Sequence, residues 1–200
     1  VGLMLPYTGT FAQLGVAIEN GVRMAIAERG GKLGGRDIEW FKVDDESEPS
    51  KGVENANRLV QRDKVDVLIG TVHSGVQMGI QKVARDSGVL SLIPNAGVHA
   101  ATRALCAPNV FRTSFTQATA MPKVAKYLRD TVKAKTVAIM WVNNDFGKGG
   151  RDSMVKALEA VGLKVAADIS TDPGQVDFSG AVLKASCPAP AVSSHRSMAP

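Results

Sequence analysis

The chain has 200 residues, of which 44% are hydrophobic and 22% charged, with a formal net charge of +5. This is the composition of an ordinary globular protein that can bury a hydrophobic core, not of a disordered or fibrous chain. No apolar run reaches the length of a membrane-spanning helix, and the 24 basic residues are spread along the chain without interleaved aromatic residues, so we expect no nucleic-acid partner.

The first part of the chain alternates predicted strands with predicted helices. Short apolar runs rich in β-branched residues predict buried parallel strands, and apolar residues at three- or four-residue spacing predict helices. The predicted strands are residues 1–5, 37–43, 65–69, 89–93 and 110–113. The predicted helices between them are residues 15–29, 51–62 and 76–86. This alternation predicts an α/β fold with a doubly wound, mainly parallel sheet.

A second alternation begins near residue 118. It predicts helices at 118–131, 150–161 and 179–185 and strands at 135–142 and 164–169, with NNDFGKGG as the loop between the first strand and its helix. We therefore expect a first α/β lobe over residues 1–117 and the start of an incomplete second lobe over 118–185. Residues 186–200 have no apolar periodicity and predict an irregular tail, either disordered or produced by truncation of a longer chain.

Two small-residue loops that follow neighbouring predicted strands form the candidate binding site. In open parallel sheets, ligands bind beyond the carboxyl ends of the strands, where helix N-termini present unpaired N–H groups. We expect these loops to form a floor for a small carboxylate. Ser74 has a second interpretation as a helix N-cap, and His73 has one as a surface group. The loop residues are His73, Ser74, Gly75, Asn95, Ala96 and Gly97.

Motifs for catalysis or cofactor binding are missing from the sequence. The glycines of GGKLGG follow a predicted helix and precede a strand, which is the reverse of a dinucleotide-binding motif. Neither a GxxxxGK[ST] phosphate loop nor a GxSxG nucleophile elbow occurs. The acidic run DDES fits a turn and cap before a helix better than a metal site. We therefore predict no cofactor, no metal and no enzymatic activity.

Two features concern the cellular compartment. The first residues, VGLMLP, resemble the interior of a strand and not a signal peptide, so we expect a targeting segment to have been removed. Cys106 and Cys187 lie far apart and have no companions at metal-binding spacing. They form either one disulfide in an exported protein or two unrelated thiols.

Six segments of residues 1 to about 185 resemble the periplasmic solute-binding proteins of branched-chain amino-acid ABC importers, in that family's order. This is the leucine/isoleucine/valine-binding group of type I periplasmic binding proteins. The segments are VGLMLPYTGTFAQLG with NGVRMAI, VDDESEP with a helix ending LVQRDKVDVLIG, GTVHSGVQMGI, IPNAG, VFRTS and NDFGKGG. The resemblance implies two lobes that close on a small carboxylate and deliver it to a membrane permease. It also implies a periplasmic, or extracellular and membrane-tethered, location.

The resemblance also assigns roles to individual residues. Ser74 stands where the family binds the ligand carboxylate through a hydroxyl, and Asn95, Ala96 and Gly97 lie in the loop that holds the carboxylate and amino group. Gly97 replaces a usual threonine of amino-acid binders.

Two apolar positions complete the implied site. Leu14 matches a side chain that packs on the ligand, and Phe146 matches a second-lobe tyrosine or is ordinary core. The segment GTVHSGVQMGI resembles the corresponding segment of relatives that carry aromatic carboxylates. The expected ligand is therefore a branched-chain amino acid or an aromatic acid. A ligand-sensing regulatory or receptor domain of the same fold is the alternative function.

Overall fold

The computed structural model of the chain describes residues 1–186; the predicted tail beyond Ser186, including Cys187, lies outside the described residues. The strands are β1 (Gly2–Leu5), β2 (Lys32–Leu33), β3 (Arg36–Asp37), β4 (Phe41–Asp44), β5 (Val67–Ile69), β6 (Leu90–Ile93), β7 (Val110–Arg112), β8 (Thr136–Val142) and β9 (Lys164–Thr171). The α-helices are α1 (Ala12–Ala27), α2 (Pro49–Asn57), α3 (Ser74–Ser87), α4 (Gln117–Asp130), α5 (Asp145–Ala160) and α6 (Ser179–Ser186).

The larger sheet is parallel and five-stranded, with strand order β4-β1-β5-β6-β7. Strands β8 and β9 pair in parallel as a separate sheet, and β2 and β3 form a short antiparallel hairpin. The predicted α/β class with a parallel sheet is therefore confirmed. None of the helices within residues 1–186 is both long and apolar enough to cross a membrane.

The helices cover the large sheet with apolar side chains. Met4 and Leu68 of the sheet pack with Leu59 and with Ile80 of α3, and all four are fully buried. Each such side chain contributes about 1.5–3 kcal/mol relative to an exposed position. A separate cluster forms under α4 and α5 around Ala125, Ile139, Ala157, Leu158 and Leu163. Each sheet therefore has its own core.

Helix α3 buries the face that its periodicity predicts, but α1 does not. Val76, Ile80 and Ala84 of α3 are fully buried. In α1 the apolar spacing in the sequence predicts a buried stripe of Val16, Ile18, Val22, Ala25 and Ile26, but Val16 is 45% exposed. The buried face of α1 instead contains Gly15, which packs on the end of β1, and Glu19, together with Ile26. The Glu19 carboxylate is paired with Arg23 and Lys42, each at 2.7 Å, so burying it leaves no lone charge.

Four predicted elements differ from the structure. The predicted strand 37–43 starts too early, because the chain first makes the hairpin β2–β3 through Gly34 and Gly35 (φ +54° and +78°) and β4 begins only at Phe41. The predicted loop 143–150 is wrong because the Asn144 side chain accepts a hydrogen bond from the Gly147 N–H at 2.9 Å, which caps α5 at its start.

Helix α1 likewise begins at Ala12 and not at residue 15, so Leu14 is helical. In the predicted helix 51–62, the helical structure starts at Pro49 and the last five residues, Arg58–Arg62, are π-helical.

Two glycines let a helix start directly against the carboxyl end of its preceding strand. A Cβ at Gly15 would lie 1.8 Å from the carbonyl oxygen of Pro6, and a Cβ at Gly147 would lie 1.8 Å from that of Val142. Any side chain there would push the helix away from the strand end. Both glycines lie in the first turns of helices that flank the site described below.

We predict that Gly15→Ala lowers the free energy of unfolding by about 2 kcal/mol or more, because α1 must separate from β1. Gly21→Ala is the control: Gly21 lies in the same helix, and outside the helix backbone no described atom is within 4 Å of its Cβ position. This change is expected to add about 0.5–1 kcal/mol. Urea unfolding of the variants measures both values. Equal stabilities for the two would contradict the close approach of α1 to Pro6.

Candidate functional site

The two loops predicted to form the site lie side by side. The Ala96 N–H, after β6, donates to the carbonyl oxygen of Thr71, after β5, at 3.1 Å. One residue earlier on the β5 side, the Gly70 N–H donates to the carbonyl oxygen of Leu92, also at 3.1 Å. This contact extends the parallel pairing of β5 with β6 past the end of the strands. The structure therefore brings the loop of Ser74 and the loop of Asn95 together.

Ser74 presents a buried hydroxyl without a hydrogen-bond partner in the described part of the chain. Its predicted N-cap role is wrong, because the His73 carbonyl accepts the first helical bond from the Gln77 N–H at 3.0 Å, which makes Ser74 the first residue of α3. Ser74 is 2% exposed, and its Oγ has no hydrogen-bond partner among the described residues. Buried polar atoms without partners are rare in native proteins, so this hydroxyl requires an explanation.

His73 is half-buried beside the same helix N-terminus. Its ring stacks on Phe11 with centroids 5.7 Å apart, and it covers Gly75, where a Cβ would lie 2.9 Å from the imidazole Cε1. Burial lowers the pKa of His73 below its ordinary value, and the carboxylates of Asp145 and Glu48 only partly oppose this shift. Burial therefore favours the neutral form of the imidazole.

The entry to α1 reaches the site through Phe11. Leu14, one turn further, is 44% exposed, and no contact of its side chain with the two loops is described within residues 1–186. The segment that sequence reasoning selected therefore lies at the site, but the side chain that touches another candidate residue is Phe11. The sequence feature that could have identified this contact is the aromatic residue Phe11, three positions before Leu14.

Phe146, in the first turn of α5, lies over the loop after β6. A Cβ on Gly97 would lie 3.2 Å from Cε2 and 3.5 Å from Cδ2 of the Phe146 ring. The ring is 45% exposed, so it is not ordinary core. Gly97 and Phe146 therefore form one surface, with the loop from the large sheet on one side and α5 on the other.

Asn95 and Ala96 hold their loop through backbone groups. The Asn95 carbonyl accepts a hydrogen bond from Ser114 Oγ at 3.2 Å, and the Asn95 side chain is exposed. The Arg112 guanidinium donates to the carbonyls of Ala96 and Val98. Burial lowers the pKa of Arg112, yet the group remains charged because its ordinary value is so high. Sequence reasoning missed Arg112, whose role depends on contacts with residues 14 and 16 positions away.

A buried amide chain on α3 was also missed. Thr71 Oγ1 donates to the His73 carbonyl at 3.2 Å and lies 3.5 Å from Gln77 Oε1. Gln77 Nε2 donates to Gln81 Oε1 at 2.9 Å, and Gln81 Nε2 donates to the carbonyls of Ala101 and Leu105. The i, i+4 spacing of the two glutamines on the buried face was the available signal. This series of hydrogen bonds connects the turn after β5 to the segment after Gly97.

The acidic run after β4 forms the predicted turn but does not cap α2. Asp44 accepts hydrogen bonds from the Tyr7 N–H at 2.8 Å and Thr8 Oγ1 at 2.7 Å, and Asp45 accepts one from the Ser47 N–H at 2.9 Å. The cap position is Glu48, whose side chain makes no capping bond. Within residues 1–186, no group of three or more His, Cys, Asp or Glu side chains is arranged to hold a metal ion.

Asp45 is fully buried, and its second carboxylate oxygen has no described partner. Burial raises the pKa of Asp45 to about 6, although the Ser47 N–H partly opposes the shift and the Asp44 charge adds to it. Because the pKa is higher in the folded state, the protonated form stabilises the fold. That stability is present below about pH 4 and is lost as the pH rises through about 6.

We predict that Asp45→Asn is more stable than the wild type at pH 8 by up to about 3 kcal/mol, and that the difference shrinks towards pH 4. Asp44→Asn is the control with the opposite sign. Burial would raise the pKa of Asp44, but its hydrogen bonds outweigh burial and lower the pKa, so the ionised form stabilises the fold. Chemical unfolding of the three proteins between pH 4 and 8 tests this, and a pH-independent effect of Asp45→Asn would contradict it.

Comparisons with known proteins give a consistent result. The family described as periplasmic binding protein matches residues 1–187. The chain is 34% identical over 182 residues to the Leu/Ile/Val-binding protein BraC3 of Rhizobium johnstonii, which covers 90% of this chain and 49% of that protein. The chain thus spans about half the length of the curated relatives that it matches.

Solved structures of solute-binding proteins also superimpose on this chain. A solute-binding protein of an ABC transporter from R. palustris, in complex with benzoate, is 42% identical and superimposes with a TM-score of 0.84 over 92% of this chain and 51% of that chain. The leucine-binding protein LivK of Thermotoga maritima superimposes with a TM-score of 0.85 over 92% of this chain and 52% of that chain, at 22% identity. This second likeness shows the fold alone.

Proposed function

Because the chain belongs to the periplasmic binding protein family, we propose that it acts as the solute-binding component of an ABC importer and captures a small organic carboxylate. The ligand is held between two lobes, over residues 1–117 and from residue 118 onward, which close around a hinge. The partner is a permease in the membrane, and the location is periplasmic, or extracellular with a membrane tether.

The observation that carries this proposal is the buried, unused hydroxyl of Ser74 at the N-terminus of α3. A ligand carboxylate there would accept hydrogen bonds from Ser74 Oγ and from the N–H groups of Gly75 and Val76. A charge-assisted hydrogen bond contributes about 1.5–3 kcal/mol, and the helix dipole adds about 0.3–1 kcal/mol. The carboxylate would thus supply the partner that Ser74 Oγ lacks among residues 1–186.

The first lobe alone offers too little contact for tight binding. Removing apolar ligand surface from water gains about 25 cal/mol per Å², and this gain requires a cover. Phe146, over Gly97, is positioned to cover the apolar part of a ligand whose carboxylate lies at Ser74. Closure is then a shift of the lobe equilibrium towards a state with more ligand contacts.

We propose an aromatic acid as the ligand. The apolar Phe146 ring, the neutral His73 and the ring of Phe11 are suited to a flat apolar body, and the R. palustris relative was solved in complex with benzoate. A branched-chain amino acid is the second candidate, because the relative at 34% identity is a Leu/Ile/Val-binding protein. The absence of a side chain at Gly97 favours the first candidate, since amino-acid binders of the resembled group usually carry threonine there.

We predict that Ser74→Ala weakens benzoate binding at least about tenfold, from the loss of one hydrogen bond to a charged group, without lowering the melting temperature. Titration calorimetry with benzoate, and in parallel with leucine, measures this. Ser50→Ala, at an exposed serine in the first turn of α2, is the control and is expected to bind like the wild type. Unchanged affinity in Ser74→Ala would discard the proposed carboxylate position.

We further predict that Gly97→Ala weakens benzoate binding more than it changes stability, because the new Cβ would lie 3.2 Å from the Phe146 ring and displace it. Combining Gly97→Ala with Phe146→Leu is expected to restore part of the affinity by relieving the contact. Calorimetry on the two single variants and the double variant measures the coupling between positions 97 and 146 in the free energy of binding. Additive losses would show that the two positions act independently.

A further inference from the structure

Gln117, the first residue of α4, has a buried side chain that sequence reasoning did not select. The residue is 1% exposed. Its Nε2 donates to the carbonyl oxygen of Phe146 at 2.8 Å, while its Oε1 has no described partner. The side chain therefore joins the start of α4 to the first turn of α5, 29 residues further along the chain.

The Gln117 carboxamide lies close to two glycines, Gly97 and Gly149. Its amide carbon is 3.7 Å from the Cβ position of Gly97, and its Oε1 is 3.5 Å from that of Gly149. Gly97 belongs to the loop after β6, and Gly149 belongs to α5. Gln117 thus touches both surfaces that meet at the site, on the side of Gly97 that also faces the Phe146 ring.

The helix starts of α4 and α5 do not require the hydrogen bond from Gln117 to the Phe146 carbonyl. The start of α4 already has a local contact, because the Thr116 N–H donates to Thr119 Oγ1 at 3.3 Å. The Phe146 carbonyl lies in the first turn of α5, where regular helix geometry provides a backbone donor four residues further on. An unpartnered buried acceptor destabilises a fold, so an apolar side chain of the same length would serve stability at least as well.

We propose that Gln117 is a positioning residue for the ligand: its hydrogen bond fixes the first turn of α5 so that the Phe146 ring lies over Gly97. This inference rests on the proposed function, in which Phe146 covers the apolar part of a small carboxylate. Without the bond, the first turn of α5 gains freedom, and the cover over the ligand loosens. Ligand affinity then falls, although no ligand contact has been removed.

The first test is Gln117→Met, which keeps the length of the side chain but removes the donor and the unpartnered acceptor. We expect benzoate to bind about five- to tenfold more weakly, the equivalent of one hydrogen bond, while the melting temperature of the ligand-free protein stays equal or rises. Gln61→Met, at an exposed glutamine remote from α4 and α5 in sequence, is the control and should leave both unchanged.

The second test is Gln117→Glu, which restores the donor only when its carboxyl group is protonated. We expect its affinity for benzoate, relative to the wild type at each pH, to be lowest at pH 8 and to recover towards pH 5. Because a carboxylate at this position would also repel an anionic ligand, this profile supports the inference only together with weaker binding by the uncharged Gln117→Met. Calorimetry of both proteins at pH 5, 6.5 and 8 measures it.

The outcomes separate this inference from the proposed function. If the wild type binds neither benzoate nor leucine, the proposed function fails, and the inference fails with it. If the wild type binds benzoate but Gln117→Met binds equally well, only the inference is overturned. Loss of stability in Gln117→Met in parallel with affinity, or a pH-independent ratio for Gln117→Glu, likewise overturns it.

Discussion

The hydrogen bond from the Ala96 N–H to the Thr71 carbonyl is the contact on which the site depends. It exists because β5 and β6 are adjacent parallel strands in register, with Val67 opposite Leu90 and Ile69 opposite Leu92. Two crossover connections must therefore leave the sheet at the same edge. That constraint places the N-terminus of α3, with its buried serine, beside a loop of small residues.

The remaining features give this edge its chemical character. Gly15 and Gly147 allow α1 and α5 to begin against strand ends, which brings Phe11 and Phe146 to the same region. Arg112 holds the carbonyls of the loop after β6. In the proposed site these features give a polar floor, whose Ser74 hydroxyl has no partner among residues 1–186, and an apolar cover from α5.

Some of this could be predicted from residue patterns. Alternating apolar periodicities identified the parallel sheet and the buried face of α3, because both depend on local spacing. The pairing of the two loops followed from the general behaviour of open parallel sheets and not from any individual residue. Helix starts were less predictable: Asn144 caps α5 through a contact three residues away, and His73 takes the cap position of α3 through its carbonyl, not its side chain.

Other features depend on contacts that no local pattern encodes. Val16 was expected to be buried, but the ion pairs of Glu19 and the close approach of Gly15 turn a different face of α1 inward. Arg112 and Gln117 resemble surface residues in the sequence, and their roles appear only when residues 16 and 29 positions away are placed beside them. The assignment of Ser74, Asn95, Ala96, Gly97, Phe146, Leu14, His73 and Gly75 to ligand binding remains a proposal.

A crystal structure of the protein with benzoate tests the central claim most directly. The account predicts that the carboxylate lies within hydrogen-bonding distance of Ser74 Oγ and of the N–H groups at the start of α3, with the ring between the loop after β6 and Phe146. A benzoate bound elsewhere, or one whose carboxylate points away from Ser74, would contradict it.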